Sequence, residues 1–255
     1  MLPQAEWAAR IAGLVHGDTR YDDVDREFPI SSSSWPIPSE TAGVLARLVI
    51  ELRLTRILEF GAGTSSIVFA NALAHIGGGF LTSVEEDPRW CGELFNRAQS
   101  VPRVDTRLIA SRVYFRASRR GGLYHGYDDA AATEVAERGP YTLVLIDAPD
   151  GYFGRDGALH LAFHSLAPGA LIVVDDSKRR KERDTIARWL ATYPGLVLLA
   201  DAPALGHGTA VLGYTGDPRV RLSPQTMATS AVREAYAWVR HLKNPPPAPP
   251  PPVVS

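Results

Sequence analysis

The first candidate for chemistry in the sequence is a glycine-rich turn between an apolar segment and a helical pattern. The apolar segment spans residues 57–60, and the helical pattern spans residues 65–76. Glycines in such a turn let the backbone bend sharply and let a ligand approach without a Cβ in the way. The N–H groups at the start of the helix can then bind a polar group of that ligand. The small residues of the turn and of the helix start are Gly61, Ala62, Gly63, Ser65 and Ser66.

Two glutamates beside this turn indicate the kind of ligand. Glu59 lies two residues before Gly61, where its carboxylate opposes a pyrophosphate but suits a ligand that carries an amino group. Glu85 ends the next apolar segment, at the distance from the turn where an acidic residue binds both hydroxyls of a ribose. Ser66 stands where a dinucleotide-binding turn has its third glycine, which disfavours that class of protein.

A second set of carboxylates follows two later apolar segments, residues 142–146 and 170–174. Asp147 follows the first segment, and Asp175 and Asp176 end the second. Adjacent parallel strands end at the same edge of a sheet, so we expect these three side chains to converge. Oxygen ligands of this kind suit Mg²⁺, Mn²⁺ or Ca²⁺. The alternative is a metal-free site in which Asp147 orients the substrate and the other two carboxylates cap the following helix.

The elements that position these residues alternate between strands and helices. Strands that are apolar on both faces and alternate with helices predict a doubly wound α/β fold, with a mostly parallel sheet covered on both faces. A further pair of strands follows without a helix between them, which is compatible with antiparallel pairing. The predicted strands are 57–60, 80–84, 104–109, 142–146, 170–174, 196–200 and 209–214, and the predicted helices are 65–76, 88–98, 130–137, 158–166 and 184–192.

The rest of the chain predicts appendages around one domain. We expect the α/β domain in residues 39–216, preceded by an N-terminal helix and a lid-like segment in residues 1–38. A C-terminal helix is expected in residues 217–244, and a proline-rich, disordered tail in residues 245–255. Two further segments, residues 31–35 and 123–127, are either parts of a lid or acceptor pocket, or plain surface loops.

The composition fits a soluble globular protein. The net charge of −1 over 255 residues provides no basic surface for nucleic acid or an anionic membrane. Cys91 is the only cysteine, so no intrachain disulfide forms, which suits a reducing compartment. The N-terminal residues lack a signal-peptide pattern, and no apolar run approaches the roughly 20 residues of a membrane span. We therefore expect a cytoplasmic protein without nucleic-acid or membrane partners.

The pattern E-x-G-x-G, followed by a strand that ends in Glu85, resembles the class I S-adenosylmethionine-dependent methyltransferase superfamily. The resemblance covers residues 39–214 and identifies the domain of residues 39–216 as a methyltransferase domain. It implies a Rossmann-like seven-stranded sheet of order 3-2-1-4-5-7-6, with an antiparallel seventh strand. It also implies that S-adenosylmethionine is the cofactor and that its methyl group is transferred to a small-molecule acceptor.

The resemblance implies a place for each candidate residue around the cofactor. Glu59 and the glycine turn surround the methionine part, and Glu85 binds the ribose. Glu86 and Trp90 lie near the adenine, where Ser111 takes the place of an acidic residue that the superfamily often has. The implied cofactor-binding residues are Glu59, Gly61, Ala62, Gly63, Ser65, Ser66, Glu85, Glu86, Trp90, Ser111 and Asp147.

The acidic strand ends are similar to those of the catechol and caffeoyl-CoA O-methyltransferases. This similarity implies a hydroxyl acceptor and a divalent ion that binds Asp147, Asp175 and Asp176 and two substrate oxygens. The chain departs from the pattern because Asp176 replaces an asparagine and Asp150 replaces a lysine. Asp147 and Asp150 are therefore the catalytic candidates, with Asp150 as a general base if it lies within hydrogen-bond reach.

Two other functions fit part of the pattern. The first is an NAD-dependent oxidoreductase, which Ser66 and the closing strand pair disfavour. The second is an S-adenosylmethionine-binding protein without transferase activity, because a fold alone does not imply catalysis. Helices outside the sheet would support a homodimer.

Overall fold

The structure, a computed structural model, describes residues 4–17, 37–89, 91–118, 122–149 and 155–221, with six helical residues between 231 and 243. Helices and strands alternate through most of this part of the chain. The helices are α1 (Gln4–His16), α2 (Ser39–Leu52), α3 (Thr64–His75), α4 (Gly92–Gln99), α5 (Asp129–Arg138), α6 (Asp156–Ala162) and α7 (Arg180–Thr192). The strands are β1 (Arg56–Phe60), β2 (Gly79–Glu85), β3 (Val104–Ala110), β4 (Val113–Ser118), β5 (Gly122–Tyr127), β6 (Tyr141–Ile146), β7 (Leu166–Asp175), β8 (Leu196–Ala202) and β9 (Thr209–Tyr214).

The central sheet has seven strands in the order β3-β2-β1-β6-β7-β9-β8. Strands β1, β2, β3, β6 and β7 pair in parallel, whereas β9 runs antiparallel to both of its neighbours. Numbered along this sheet alone, the order is 3-2-1-4-5-7-6. The predicted fold and the antiparallel seventh strand are therefore confirmed.

The side chains of the central strands alternate between two hydrophobic cores, one on each face of the sheet. On β1, for example, Ile57 packs into the core under α1 to α4, and Leu58 packs into the core under α5 to α7. Successive side chains of a strand point to opposite faces, so a strand between two helical layers must be apolar throughout. All the parallel strands end at one edge, where the polar residues that follow them meet.

Three local predictions are wrong. Helix α4 begins at Gly92 rather than at Pro88. The hydrogen bonds that the carboxylate of Asp87 accepts from Arg89 close a local turn, and the helical hydrogen bonds begin with the N–H of Phe95, which donates to the carbonyl of Cys91. Residues 123–127 are part of a strand rather than a loop, because β4 and β5 form an antiparallel hairpin. The helix predicted to reach residue 166 ends at Ala162, and a 3₁₀ turn leads directly into β7.

Within the described ranges, no helix combines the length and apolar character that a bilayer crossing requires. The expected lid segment, residues 31–35, and the proline-rich tail, residues 245–255, lie outside the described residues. The proposed division into domains stays a prediction.

Candidate active site at the carboxyl edge of the sheet

The two glycines in the turn between β1 and α3 meet two requirements of a ligand-binding turn: a sharp bend of the backbone at Gly61 and open space beside Gly63. Gly61 adopts a φ of +94°, which L side chains rarely adopt, and a Cβ there would lie 3.1 Å from the Cβ of Ala148. Its N–H donates to the carbonyl of Val84, which fixes the turn against β2. Gly63 is extended, and a Cβ there would meet nothing within 4 Å. The turn therefore faces open space at Gly63.

Glu59 lies beneath this turn and has no exposed surface. Its carboxylate accepts hydrogen bonds from the hydroxyls of Ser65 at 2.7 Å, of Ser83 at 2.5 Å and of Ser66. Burial raises the pKa of Glu59 to about 7, although the three serine hydroxyls oppose that shift. Ser66 in turn accepts the N–H of Gly63, at 3.1 Å. Glu59 thus holds the turn from below, and its direct contact with a cofactor stays a prediction.

Glu85 ends β2 beside the turn and is partly exposed. One carboxylate oxygen accepts the N–H of Ala62 at 3.0 Å, and the other accepts the N–H of Asp87 at 2.9 Å. Burial raises the pKa of Glu85, and these backbone hydrogen bonds oppose the shift. Since a carboxylate oxygen has two lone pairs, each oxygen can accept a further hydrogen bond from a ribose hydroxyl. Glu86 lies next to it and is half-buried.

The hairpin formed by β4 and β5 closes this side of the site. Tyr127 stacks on Phe60, at the end of β1, with their ring centroids 5.3 Å apart. Its hydroxyl is buried and has no hydrogen-bond partner among the described residues. Burial, with the charges of Glu86 and Glu85, raises the pKa of this tyrosine well above its usual range. Tyr127 thus packs the hairpin onto the hydrophobic core beside the end of β1. Sequence reasoning had placed it in a lid or acceptor-pocket segment or in a surface loop.

Two of the residues predicted near the adenine give different results. Ser111 is buried, and its hydroxyl accepts the N–H of Asp128 at 3.1 Å. The serine therefore holds the segment between β5 and α5, and its contact with a cofactor is untested. Trp90 lies outside the described residues, as does Asp150, the candidate general base.

The three aspartates at the ends of β6 and β7 lie together, as we expected. Asp147, Asp175 and Asp176 each offer an oxygen, and these oxygens lie within 4.8 Å of one another. Asp175 is 4% exposed, and its Oδ1 atom has no hydrogen-bond partner among the described residues. Asp176 adopts a φ of +58°, in the left-handed region that aspartate and asparagine enter more easily than most residues.

A buried arginine lies among these carboxylates, and sequence reasoning missed it. Nη2 of Arg155 donates to Asp147 Oδ1 at 2.8 Å and to Asp176 Oδ2 at 2.6 Å, while Nη1 donates to the backbone carbonyl of Asp175. Arg155 is only 2% exposed. Burial favours the neutral form, but the charges of Asp147, Glu182 and Asp176 outweigh it and raise the pKa of Arg155.

Two contacts fix the backbone that carries Arg155, the residue immediately before α6. Asp156 accepts the indole N–H of Trp189 on α7 at 2.7 Å. Gly157 packs so closely on β5 that a Cβ would lie 2.0 Å from the carbonyl oxygen of His125, so only glycine fits there. The backbone that carries the guanidinium is thus held by contacts with two neighbouring elements, α7 and β5.

The acidic cluster has the oxygen ligands of a divalent-cation site, but part of its negative charge is already compensated by a buried arginine. Hard cations favour such oxygen ligands. However, the Arg155 guanidinium already contacts two of the three carboxylates and brings its own positive charge. The arrangement as folded does not fit an additional divalent ion, and the predicted metal is not confirmed.

Comparisons with known proteins agree with this geometry. Residues 58–177 match the family described as a methyltransferase domain. A search of curated proteins found no match. Several solved structures have a similar fold. A candidate O-methyltransferase from Klebsiella pneumoniae is 19% identical, with 85% of this chain and 93% of that chain covered and a TM-score of 0.52.

Two further solved structures were determined with a bound nucleoside. The O-methyltransferase from Bacillus cereus, in complex with SAH, is 16% identical, with 84% of this chain and 93% of that chain covered and a TM-score of 0.51. The O-methyltransferase TomG from Streptomyces achromogenes, involved in tomaymycin synthesis and in complex with SAM, is 17% identical, with 85% and 92% covered and a TM-score of 0.50. At these identities the likeness shows a shared fold.

Proposed function

We propose that this chain is a class I S-adenosylmethionine-dependent methyltransferase and that it methylates a hydroxyl oxygen of a small molecule. The methyltransferase-domain match over residues 58–177 and the order of the strands in the sheet support this proposal. The domain match also favours a methyltransferase over the NAD-dependent oxidoreductase that the glycine turn left open. The names of the similar structures, which are O-methyltransferases, support oxygen as the acceptor atom.

The residues at the glycine turn fit the cofactor. The open space at Gly63 admits the methionine part, and Glu85 accepts hydrogen bonds from the ribose hydroxyls. The stacked rings of Tyr127 and Phe60 belong to the core that supports this edge of the sheet. When bound, S-adenosylmethionine supplies a methyl group that is already activated on a positively charged sulfur. The protein therefore contributes mainly alignment, exclusion of water and removal of the acceptor proton.

The single observation that carries the proposal is the position and exposure of Asp147. Its side chain is 32% exposed, against 8% for Asp176, so it is the accessible carboxylate of that pair. Its N–H donates to the carbonyl of Phe60 at 3.0 Å, which places it beside the glycine turn. We assign Asp147 two tasks: it orients the acceptor hydroxyl and takes up its proton as the methyl group is transferred.

The cofactor part of the proposal is tested with the variant Gly63→Leu. A Cβ at this position meets nothing within 4 Å, so the leucine side chain enters the open space without displacing a neighbour. We expect titration calorimetry to show a loss of more than about 100-fold in affinity for S-adenosylhomocysteine, with an unchanged melting temperature. The matched control is Gly13→Leu, on the exposed face of α1. This helix packs against β8, the last strand in the order of the sheet.

The acceptor part is tested with labelled S-adenosylmethionine and a panel of phenols and alcohols, followed by NMR of the product. We expect an O-methyl product, and we expect Asp147→Asn to lower kcat by about 10²- to 10⁴-fold without a similar loss of S-adenosylhomocysteine affinity. A product methylated on nitrogen or carbon would refute the oxygen acceptor. A wild-type protein without affinity for S-adenosylhomocysteine would refute the cofactor.

A further inference from the structure

Arg155 is the centre of the acidic cluster, not a neighbour of it. The four buried or half-buried carboxylates whose charges act on it are Asp147, Asp175, Asp176 and Glu182. Glu182, on α7, is 3% exposed and leaves one carboxylate oxygen without a partner among the described residues. Buried carboxylates need a compensating cation. The guanidinium of Arg155 is the buried cation in contact with this set, whereas the half-exposed Arg179 contacts Asp176 alone among the four.

We propose that the guanidinium of Arg155 takes the place of a divalent metal ion at the carboxyl edge of the sheet, so that methyl transfer by this protein needs no metal. This inference rests on the proposed function for its consequences in catalysis. The binding part of it stands on the geometry of the cluster alone.

The guanidinium and a metal ion compete for the same carboxylates. Nη2 of Arg155 lies 2.8 Å from Asp147 Oδ1 and 2.6 Å from Asp176 Oδ2, and both carboxylates belong to the set of three that a metal would bind. An ion coordinated by these carboxylates, at about 2.0 to 2.6 Å from their oxygens, would lie against the guanidinium. Arginine does not lose its proton in proteins, so the two charges would also repel each other.

The surrounding structure opposes a displacement of the guanidinium. The backbone of Arg155 is fixed by the hydrogen bond from Trp189 to Asp156 and by the contact of Gly157 with β5. The guanidinium also donates a hydrogen bond to the backbone carbonyl of Asp175, the last residue of β7. In this position the buried charge of Arg155 is compensated, and a displaced guanidinium would lose these contacts.

This substitution changes what the site can do with an acceptor. A metal ion lowers the pKa of a hydroxyl that it binds directly. Arg155 is almost completely buried, so it acts through Asp147 and is a positioning residue: it fixes one carboxylate oxygen and leaves the carboxylate to receive the proton. Without an ion to bind two substrate oxygens, an acceptor needs only one hydroxyl, and vicinal hydroxyls give no advantage.

The experiment measures Mn²⁺ binding by electron paramagnetic resonance, without cofactor or acceptor. We expect no bound Mn²⁺ for the wild type, and about one bound ion for Arg155→Met, in which the carboxylates have lost their cation. Arg155→Lys keeps the charge and should bind none. Arg179→Met is the matched control, because Arg179 also contacts Asp176 but leaves Arg155 in place, and it should bind none.

A second measurement covers the case in which Arg155→Met is poorly folded. Mn²⁺ should then raise the melting temperature of Arg155→Met, and the added substitution Asp175→Asn should abolish that rise, because ligand binding stabilises the folded state. If Arg155→Met gains neither Mn²⁺ nor thermal stability, the inference is overturned. Stoichiometric Mn²⁺ binding by the wild type overturns it as well.

The catalytic consequence is tested on the wild type with an active acceptor. We expect the rate to be unchanged by a chelator and by added Mg²⁺, and a monohydroxy acceptor to be methylated as well as its vicinal dihydroxy analogue. A rate lost on chelation and restored by Mg²⁺ overturns the inference but leaves methyl transfer intact. Failure of methyl transfer itself would not alter the Mn²⁺ measurements, so the two failures are distinguishable.

Discussion

The two halves of the site differ in the kind of hydrogen-bond donor that binds their carboxylates. On the side proposed for the cofactor, Glu59 and Glu85 are bound by neutral donors, namely serine hydroxyls and backbone N–H groups. On the side proposed for the acceptor, Asp147 and Asp176 are bound by the guanidinium of Arg155. Both sets lie at the same edge of one sheet, and both are substantially buried.

The difference indicates what each half is built to receive. Carboxylates held by neutral donors have no cation that cancels their charge when they are ionised, which favours a ligand with an amino group and a positively charged sulfur. Carboxylates paired with arginine have much of their field cancelled, which suits a neutral hydroxylated acceptor. Predictions that disturb one half at a time therefore test the comparison.

The largest expected effect is the loss of stability in Arg155→Met. Removing one partner of a buried ion pair leaves uncompensated charge, so we expect the free energy of unfolding to fall by about 3 to 5 kcal/mol. The half-exposed Arg179 contacts the same Asp176, and Arg179→Met should cost less than about 1 kcal/mol. Urea unfolding at neutral pH measures both. Equal losses for the two variants would show that the buried arginine has no special part.

The next effect is the pH dependence of stability that Glu59 contributes. Because burial raises the pKa of Glu59 from 4.5 to about 7, the folded state holds a proton that the unfolded state releases. Stability should therefore fall as the pH rises from about 4.5 to about 7, by about 3 kcal/mol in total. Glu59→Gln removes this contribution. Unfolding curves across that range should then be flatter for the variant, and parallel curves would contradict the assignment.

The smallest effect is expected for Glu85→Gln, in ligand binding. A hydrogen bond to a charged group contributes about 1.5 to 3 kcal/mol, so affinity for S-adenosylhomocysteine should fall about 10- to 100-fold. Glu85 is assigned to the ribose, so 5′-methylthioadenosine, which lacks the amino acid, should lose affinity by the same factor. Calorimetry with both ligands decides this. A loss confined to S-adenosylhomocysteine would move the contact away from the ribose.

Sequence patterns predicted the sheet well because its strands are buried on both faces. The strand Thr209–Tyr214 was predicted at its observed bounds, since all of its residues are buried. The start of α4 was missed because Asp87 and Arg89 close a local turn, and the sequence does not show whether a helix continues from such a turn. The hairpin of β4 and β5 was missed because its first strand interrupts an otherwise regular alternation of strands and helices.

The cluster of aspartates was predicted, but its cation was not. Strand ends can be placed from apolar segments, so the convergence of Asp147, Asp175 and Asp176 follows from topology. Arg155 stands 8, 20 and 21 residues from its three partners, in a segment without strand periodicity. No local signal identifies such a contact. Gly157 is next to this segment and lies against the backbone of β5, but the sequence alone does not show that close approach.

The hydrogen bond between Asp156 and Trp189 has a consequence for how acceptors are chosen. It joins α6 to α7 directly beneath the arginine, so the geometry of the cluster is set before any molecule enters. Such a preorganised site recognises its acceptor by shape, and small misplacements of the reacting oxygen lower the rate steeply. We therefore expect the selectivity among acceptors to depend on the fixed shape of the site. The hydrogen-bonded amide protons of α6 should then exchange with solvent as slowly as those of the sheet.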